Sequence, residues 1–311
     1  MGRLTLHEVG PRDGLQVEKQ TVPTATKRAW IETLLDSGVD VVQVGSFVNP
    51  EKVPQMADTD ELFRQLGPRP AGKGVLSGLV LNEKGLDRAL LCGVPLVCLG
   101  VSASDTHSRK NTGMGTEEAT RRIVATAKKA VEAGRAVQVS VQSAFGCGFE
   151  GPVPEERVLS IVKEYLAAGL KRISLADTAG HAYPGQVERL YGAILALAPD
   201  AEPDCHFHDT YGLGMANVWA AMRAGVVSFE SSFAGLGGCP FTKVAAGNVA
   251  TEDLVAGWQR SGIRTDIDLG RLIELARAVA THFGREMPGR VYKTGPVPAA
   301  PRTAKPEGAP A

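Results

Sequence analysis

The segment Val39-Asp40-Val41-Val42-Gln43-Val44-Gly45 is the stretch that indicates the fold of this chain. Its β-branched residues favour extended backbone, and such a run suits a strand that is covered on both faces. A helical apolar pattern over Thr24–Ser37 precedes it, and Gly38 supplies the glycine that commonly ends a helix. A buried strand that directly follows a helix predicts a parallel sheet.

The same alternation of strand and helix repeats along most of the chain. The predicted strands are Arg3–Val9, Val39–Gly45, Gly74–Leu81, Val94–Val101, Ala136–Val141, Lys171–Leu175, Ala201–His206 and Val226–Ser231. The predicted helices are Thr24–Ser37, Thr59–Leu66, Glu83–Cys92, Thr116–Ala133, Pro154–Ala168, Pro184–Leu197, Met215–Ala224 and Thr251–Ser261. Eight such units predict an α/β fold, the (β/α)8 TIM barrel. A doubly wound open sheet is the alternative, and it would need two sheets or an unusually wide one.

The C-terminal part of the chain departs from this repeat. One additional helix is predicted at Asp268–Phe283, and it would either form a homodimer contact or seal the bottom of the barrel. From about Tyr292 the sequence is rich in Pro, Ala, Gly and Lys and has no apolar periodicity. We therefore expect a barrel domain with its additional helix over residues 1–288 and a disordered tail over residues 289–311.

The composition excludes several classes of function. Lys+Arg and Asp+Glu both number 34, so there is no basic excess to attract nucleic acid or an anionic membrane. No apolar run approaches the roughly eighteen residues of a membrane span. The N-terminus has neither a signal-peptide core nor a transit pattern, which predicts a cytoplasmic protein.

The five cysteines do not form a CxxC pair, which argues against a disulfide framework and a structural zinc site. Cys239 stands apart because it follows the glycine-rich segment Gly235–Gly238 and precedes Pro240. That segment suits a mobile flap that carries Cys239 over a site. The others are expected to be small buried hydrophobic residues, namely Cys92, Cys98, Cys147 and Cys205.

Candidate functional residues gather where the predicted strands end, as they do in TIM barrels. His206 and His208 stand at i and i+2, so on a strand both imidazoles face the same way. With Asp13 they predict a site for an octahedral divalent cation such as Mg²⁺, Mn²⁺ or Co²⁺, and zinc accepts the same ligand types. The other strand-end candidates are Arg12, Gln43, Ser46, Asn111, Asp177, Thr178 and Asn248. Taken singly, helix capping would explain Asp177 and Asn248.

Four motifs resemble the 3-hydroxy-3-methylglutaryl-CoA lyases, within the metal-dependent TIM-barrel lyases and Claisen-type synthases. They are Val9-Gly10-Pro11-Arg12-Asp13-Gly14-Leu15-Gln16, Ser46-Phe47-Val48 with Val53-Pro54-Gln55-Met56, His206–Gly212, and Ala234-Gly235-Leu236-Gly237-Gly238-Cys239-Pro240-Phe241 through Gly247-Asn248 and Thr251-Glu252-Asp253. The resemblance runs from about Thr5 to Phe283. The glycine–cysteine loop is the motif most specific to the lyase branch.

The resemblance implies retro-Claisen cleavage of a carbon–carbon bond in a 3-hydroxyacyl-CoA. It implies that Asp13, His206, His208 and Asn248 hold a divalent cation, Mg²⁺ or Mn²⁺, with Co²⁺ and Zn²⁺ as alternatives. Arg12 would stabilise the enolate oxygen. Cys239 would take part in proton transfer, and Asp177 would position or deprotonate the substrate hydroxyl. Gln16 and Asn111 would support the substrate and the cation.

Two positions depart from the family pattern. Gln43 stands where the family usually has a glutamate near the end of strand two, and Ser140 stands where a pocket tyrosine is expected on strand five. Both belong to the predicted substrate pocket and not to the metal ligands. We therefore expect a substrate other than 3-hydroxy-3-methylglutaryl-CoA, such as citramalyl-CoA.

Three other functions remain open from sequence. The first is a condensing synthase of the isopropylmalate and citramalate type, although those chains usually carry a further regulatory domain and lack the Gly-Gly-Cys-Pro flap. The second is an aldolase acting on a hydroxy acid without CoA. The third is a barrel that has lost catalysis and serves as a metal-binding scaffold, which Gln43 would permit.

Overall fold

Eight parallel strands close into a barrel in which each strand pairs with the next and β1 pairs with β8. The protein's structure, a computed structural model, describes residues 3–238 and 247–298. The closed barrel confirms the TIM-barrel prediction and rules out the open sheet. The strands differ from the predicted bounds by at most two residues at an end: β1 Thr5–Glu8, β2 Val41–Ser46, β3 Val75–Leu79, β4 Leu96–Ser102, β5 Ala136–Gln142, β6 Arg172–Asp177, β7 Glu202–Phe207 and β8 Ser228–Ser231.

Helices surround the strands and bury an apolar layer against them. The side chain of Trp258 is fully buried there, and its ring meets Phe229 edge-on with 5.3 Å between centroids. α2 and α7 have the predicted bounds, and the other predicted helices differ by one residue at one or both ends. The helices are α1 Thr24–Asp36, α2 Thr59–Leu66, α3 Glu83–Leu91, α4 Asp105–Thr112, α5 Thr116–Glu132, α6 Glu155–Ala167, α7 Pro184–Leu197, α8 Gly214–Arg223, α9 Thr251–Arg260, α10 Leu269–Phe283 and α11 Val291–Thr294.

Helix α4 was not predicted, because Asp105–Thr112 is polar and lacks apolar periodicity. It is stabilised by a hydrogen bond at its N-terminus and by a side-chain pair on its exposed surface. The Ser104 hydroxyl accepts a hydrogen bond from the His107 amide at 3.1 Å, and Arg109 donates to Asp105 at 2.7 Å. Such capping and i,i+4 pairing suit a short helix that is exposed to water. The Asn111 side chain therefore projects from a helix and not from the loop that the sequence indicated.

Helix α10 runs along the side of the barrel, where it contacts α1 and α9. Near its start the Asp268 amide donates to the Ser37 carbonyl at the end of α1, and the helix also contacts the turn Phe233–Gly235 that follows β8. Its buried face consists of Leu272, Ile273, Leu275, Ala276 and Val279. The alternative in which this helix seals the barrel bottom is therefore wrong.

The predicted tail begins too early. Helix α11 lies within it, the Tyr292 side chain is only 7% exposed, and the Asp253 carboxylate accepts from the amides of Arg290 and Val291. These contacts hold the segment against α9, which composition alone could not show. Residues 299–311 lie outside the described residues. Within the described ranges, no helix has both the length and the apolar character that crossing a membrane requires.

Polar residues occupy the inside of the barrel. The pairing register places His206 of β7 beside Glu230 of β8, and Glu230 beside His7 of β1. Asp204 lies beside Ser228 one layer below. All four of the ionisable residues named here are buried. The histidines at the mouth of the barrel are therefore continuous with a buried polar interior.

Candidate active site

The predicted site residues meet at the carboxyl ends of the strands. They surround a cavity of about 400 Å³ at the mouth of the barrel. All eight strands, or the segments that follow them, contribute residues to its lining. The predicted residues on its wall are Arg12, Asp13, Gln16, Gln43, Ser46, Asn111, Ser140, Thr178, His206 and His208.

A π-helical turn at Gly10–Gly14 positions the first pair of side chains. The amides of Arg12 and Asp13 both donate to the Val9 carbonyl, at 3.0 and 2.7 Å, so the chain folds back at the end of β1. Arg12 Nη1 donates to Asp13 Oδ1 at 2.6 Å, and Arg12 Nε donates to Gln43 Oε1. The guanidinium is thereby fixed at the cavity wall, with only 12% of its side chain exposed.

Three ligand atoms converge beside this guanidinium. His206 Nε2 and His208 Nε2 lie 3.0 Å apart, and each lies 3.8 Å from Asp13 Oδ2. In an octahedral shell with bonds of about 2.1 Å, neighbouring ligand atoms are about 3.0 Å apart and opposite ones about 4.2 Å apart. The two imidazole nitrogens have the neighbouring spacing, and their separations from Asp13 Oδ2 lie between the neighbouring and the opposite values. Two imidazole nitrogens and a carboxylate oxygen are ligand types that suit a divalent cation.

Glu230 orients the His206 imidazole by contacting the ring nitrogen that is not the proposed ligand atom. Its Oε2 lies 2.8 Å from His206 Nδ1, so that ring nitrogen can donate and leave a lone pair on Nε2. A carboxylate behind a ligating histidine is the usual arrangement at metal centres. Glu230 was absent from the predicted site. One indication of this role is present in the sequence. Glu230 lies in the predicted strand Val226–Ser231, where every second residue faces the inside of the barrel.

Asn248 reaches the site because its segment runs beside the end of β7. The Val249 amide donates to the Phe207 carbonyl at 3.1 Å, and His208 and Asn248 form an isolated bridge. Asn248 Nδ2 then donates to Asp13 Oδ2 at 2.9 Å. Its Oδ1 is buried and has no hydrogen-bond partner among the described residues. That oxygen is therefore available to bind a cation.

The charges of the site follow from burial and from these contacts. Burial would raise the pKa of Asp13, but the neighbouring Arg12 guanidinium holds that pKa well below its usual value. Burial would lower the pKa of His206, but its hydrogen bond to Glu230 and the Asp13 charge raise it. Burial lowers the pKa of His208. Asp13 therefore stays an anion, and a bound cation would take the place of the proton that these groups share.

Asp177 lies at the end of β6 as predicted, but its carboxylate serves a loop. Its two oxygens accept from the amides of His181 and Ala182, at 2.8 and 3.2 Å. Burial raises its pKa to about 7. It does not line the cavity described above. These contacts hold the loop before α7. The expected role of Asp177 in positioning or deprotonating the substrate hydroxyl stays a prediction. Cys239 lies outside the described residues, so its role stays a prediction.

Gln16 and the two departures from the family pattern lie where the sequence placed them. Gln16 Nε2 is 3.4 Å from Asp13 Oδ1, behind the proposed cation position. The side chain of Ser140 is partly buried on the cavity wall, and its Oγ donates to the Leu99 carbonyl at 3.3 Å. The adjacent strand has Gly100, where a Cβ would come within 2.1 Å of Ser140 Oγ. The wall is therefore closely fitted around a small residue at position 140.

Two further buried carboxylates near the mouth were missed. Glu8 accepts from the amides of Gly10 and Phe233, and Glu252 accepts from the amide of Ala234 at 3.0 Å. They hold the turns that follow β1 and β8. Nothing in the sequence distinguishes a glutamate that binds backbone from one that faces water, and the contact between Glu8 and Phe233 links residues 225 positions apart.

Comparisons with known proteins agree with this geometry. A family model described as HMGL-like matches residues 3–279. The mitochondrial hydroxymethylglutaryl-CoA lyase of Arabidopsis thaliana is 41% identical over 278 residues, which is 89% of this chain and 59% of that protein. The (R)-citramalyl-CoA lyase of Chloroflexus aurantiacus is 39% identical over 305 residues, 96% of each chain. Among solved structures, an HMG-CoA lyase from Acinetobacter baumannii in complex with coenzyme A and 3-methylmalate superposes with a TM-score of 0.88 at 37% identity, covering 98% of this chain and 97% of that one.

Proposed function

The chain belongs to the HMGL-like family, and we propose that it is a divalent-cation-dependent lyase that cleaves a carbon–carbon bond of a 3-hydroxyacyl-CoA. The products would be an acyl-CoA and a keto acid. One observation carries the proposal. Two imidazole nitrogens and a carboxylate oxygen converge within 3.8 Å of one another, beside a fixed guanidinium at the wall of a cavity.

The cation would be held by Asp13, His206, His208 and Asn248. Its identity is proposed as Mg²⁺ or Mn²⁺, with Co²⁺ and Zn²⁺ as alternatives, because two imidazoles and two oxygen ligands accept all four. When bound, such an ion acts as a Lewis acid that lowers the pKa of the substrate hydroxyl. The Glu230 carboxylate keeps the His206 ring turned toward the ion, as its 2.8 Å contact with Nδ1 indicates.

Arg12 would stabilise the negative charge that develops on the thioester oxygen as the carbon–carbon bond breaks. Its contacts to Asp13 and Gln43 fix the guanidinium before the substrate arrives. A charge that is already in place costs no reorganisation during the reaction, which makes such groups effective in catalysis. The enolate carbon must then gain a proton, and Cys239 remains the predicted donor.

The acyl-CoA partner is proposed from the relatives, one of which was solved with coenzyme A. The predicted substrate is citramalyl-CoA or a similar thioester in place of the methylglutaryl compound, and Gln43 and Ser140 on the cavity wall support it.

A homodimer and a cytoplasmic location also stay predictions. The outward face of α10 bears the exposed residues Arg271, Glu274 and Arg277, so a dimer contact there would be polar.

A panel assay tests the proposal. Purified protein with Mg²⁺ or Mn²⁺ should cleave at least one 3-hydroxyacyl-CoA when methylglutaryl-CoA and citramalyl-CoA derivatives are compared. His208→Ala should lose about a thousandfold in kcat/KM, on the order of 4 kcal/mol, because a ligand of the charge-stabilising ion is removed. His282→Ala, which changes a histidine on α10, is the matched control and should retain activity.

Two outcomes would contradict the proposal. A native protein that binds the cation but cleaves none of the thioesters would support the scaffold reading instead. Equal activity of His208→Ala and the native chain would place the reaction elsewhere. Preferred cleavage of 3-hydroxy-3-methylglutaryl-CoA would leave the lyase intact and refute only the substrate prediction.

A further inference from the structure

A second group of metal-type ligands lies inside the barrel. His7, Asp204 and Glu230 come from β1, β7 and β8, and all three are buried. One ligand atom from each lies within 4.8 Å of the other two. His7 Nδ1 and Glu230 Oε1 are 3.7 Å apart. None of these residues is among the proposed ligands of the first cation.

Several polar atoms around this group have no partner. His7 Nδ1, Asp204 Oδ1 and Gln138 Oε1 are buried and accept or donate no hydrogen bond within residues 3–238 and 247–298. A buried polar atom left in this state has lost its hydrogen bonds to water without replacing them, which destabilises the fold. Two of these atoms belong to residues of the ligand group, which indicates that something with several bonding directions occupies the space beside them.

The remaining atoms of the same side chains are anchored. His7 Nε2 lies 2.9 Å from Ser77 Oγ, and Asp204 Oδ2 accepts from Ser228 Oγ at 2.6 Å. With Nε2 donating to Ser77, the His7 ring presents a lone pair at Nδ1. Anchoring one atom while another points at a common centre is how outer hydrogen bonds orient metal ligands.

Charge also favours a cation at this position. Asp204 and Glu230 bring two carboxyl groups together within the interior, where like charges repel strongly and solvation is lost. The imidazole of His7 is a ligand type that divalent metals accept.

We propose that His7, Asp204 and Glu230 form a second divalent-cation site, with Gln138 as a fourth ligand through Oε1. One imidazole nitrogen and three oxygens suit Mn²⁺ or Zn²⁺, since imidazole favours zinc and carboxylates favour manganese. Gln138 already contacts the group, because its Nε2 donates to Glu230 Oε1 at 2.5 Å. A turn of its amide would bring Oε1 to the same place.

Glu230 joins the two sites. Its Oε1 faces the proposed second ion, and its Oε2 contacts His206 Nδ1 of the first site. An ion bound below would fix the Glu230 carboxylate and so hold the His206 ring in its ligating orientation. The second ion therefore has a positioning role, and it contacts no substrate.

Metal stoichiometry tests the proposal without any assay of activity. After dialysis against Mn²⁺, and separately against Zn²⁺, elemental analysis should find two ions per native chain. Asp204→Asn and His7→Phe should each retain one, held by the first site. Asp13→Asn is the matched control, since it weakens the first site and should also retain one ion, in the second.

A crystal grown with Mn²⁺ gives an independent answer. Its anomalous difference map should show one peak between the Nε2 atoms of His206 and His208 and another between His7 and Asp204. A single peak at the first site, with water among His7, Asp204 and Glu230, would overturn the proposal. This measurement uses only the native chain, so it decides the matter even where a variant does not fold. Two ions per chain in Asp204→Asn would also overturn it.

Discussion

At the scale of single residues, Gln43 decides how Arg12 is held. The amide accepts a hydrogen bond from Arg12 Nε, so the contact survives without a second negative charge beside the guanidinium. The sequence alone showed that glutamine replaces the glutamate usual in the family at this position. The structure adds that the guanidinium keeps its place, with Asp13 as the one carboxylate bonded to it among the described residues.

Gln43→Glu should therefore change substrate preference. A carboxylate at the cavity wall repels a carboxyl group of the substrate, and the positions of that group differ between citramalyl-CoA and 3-hydroxy-3-methylglutaryl-CoA by one methylene. We expect the ratio of kcat/KM for the methylglutaryl compound to that for citramalyl-CoA to rise about tenfold, or roughly 1.4 kcal/mol. Steady-state kinetics on both thioesters measure it. Gln65→Glu makes the same change on exposed α2 and should leave the ratio unaltered; an equal effect on both thioesters would refute the specificity role.

At the scale of elements, the turn after β8 depends on buried carboxylates. Phe233–Gly235 contains Ala234 in a left-handed conformation with φ of 59°, and the amides of Phe233 and Ala234 donate to Glu8 and Glu252. The same connection leads toward Asn248 and α9. The sequence predicted the strand and the helix on either side, but the carboxylates that join them come from β1 and α9 and could not be paired in advance.

Replacing Glu252 should alter the dependence of stability on pH. Burial raises the pKa of Glu252 from an ordinary 4.5 to about 8. Between these values the folded chain holds a proton that the unfolded chain has lost, so the contribution of Glu252 to stability falls as pH rises from about 5 to 8 and is then constant. The Glu252→Gln variant keeps an acceptor for the Ala234 amide without the ionisation.

The free energy of unfolding, measured by denaturant at several pH values, checks this expectation. From pH 5 to 8 the native chain should lose stability relative to Glu252→Gln by about 1 kcal/mol per pH unit. Glu274→Gln, on the outward face of α10, is the control. Its free energy of unfolding should vary with pH in the same way as that of the native chain. Parallel curves for Glu252→Gln as well would mean that the carboxyl group ionises normally.

At the scale of the whole molecule, the proposed cation links β1, β7 and the segment before α9. Its ligands Asp13, His206 and Asn248 are separated by up to 235 positions in the chain, as the hydrogen bond between Asp13 and Asn248 shows. An ion that binds them only in the folded state stabilises the barrel as a whole. Backbone pairing closes β1 against β8, and the proposed cation would add a link between the ends of β1 and β7.

Removing the cation should therefore lower the melting temperature. At a hundredfold excess over Kd a bound ligand contributes about 2.7 kcal/mol, which for a chain of this size corresponds to roughly 5 °C. Thermal unfolding followed by circular dichroism, with chelator and with Mn²⁺, measures the shift. The double variant His208→Ala/Asp204→Asn, which lacks a ligand of each proposed site, should show almost no shift. A native chain insensitive to chelator would argue against a cation bound to its folded state.

The sequence by itself determined the barrel, and it predicted residues at the mouth that would hold a cation. Strand and helix are local patterns, and His206 and His208 share a face because two residues is the period of a strand. Only the tertiary structure decided that the Asp177 carboxylate accepts from the amides of His181 and Ala182 and that Glu230 contacts His206 Nδ1. It alone assembled His7, Asp204 and Glu230, since their contact depends on register between β1, β7 and β8. Local periodicity fixes the face from which a side chain projects, whereas its partner across a closed barrel depends on pairings between residues distant in the chain.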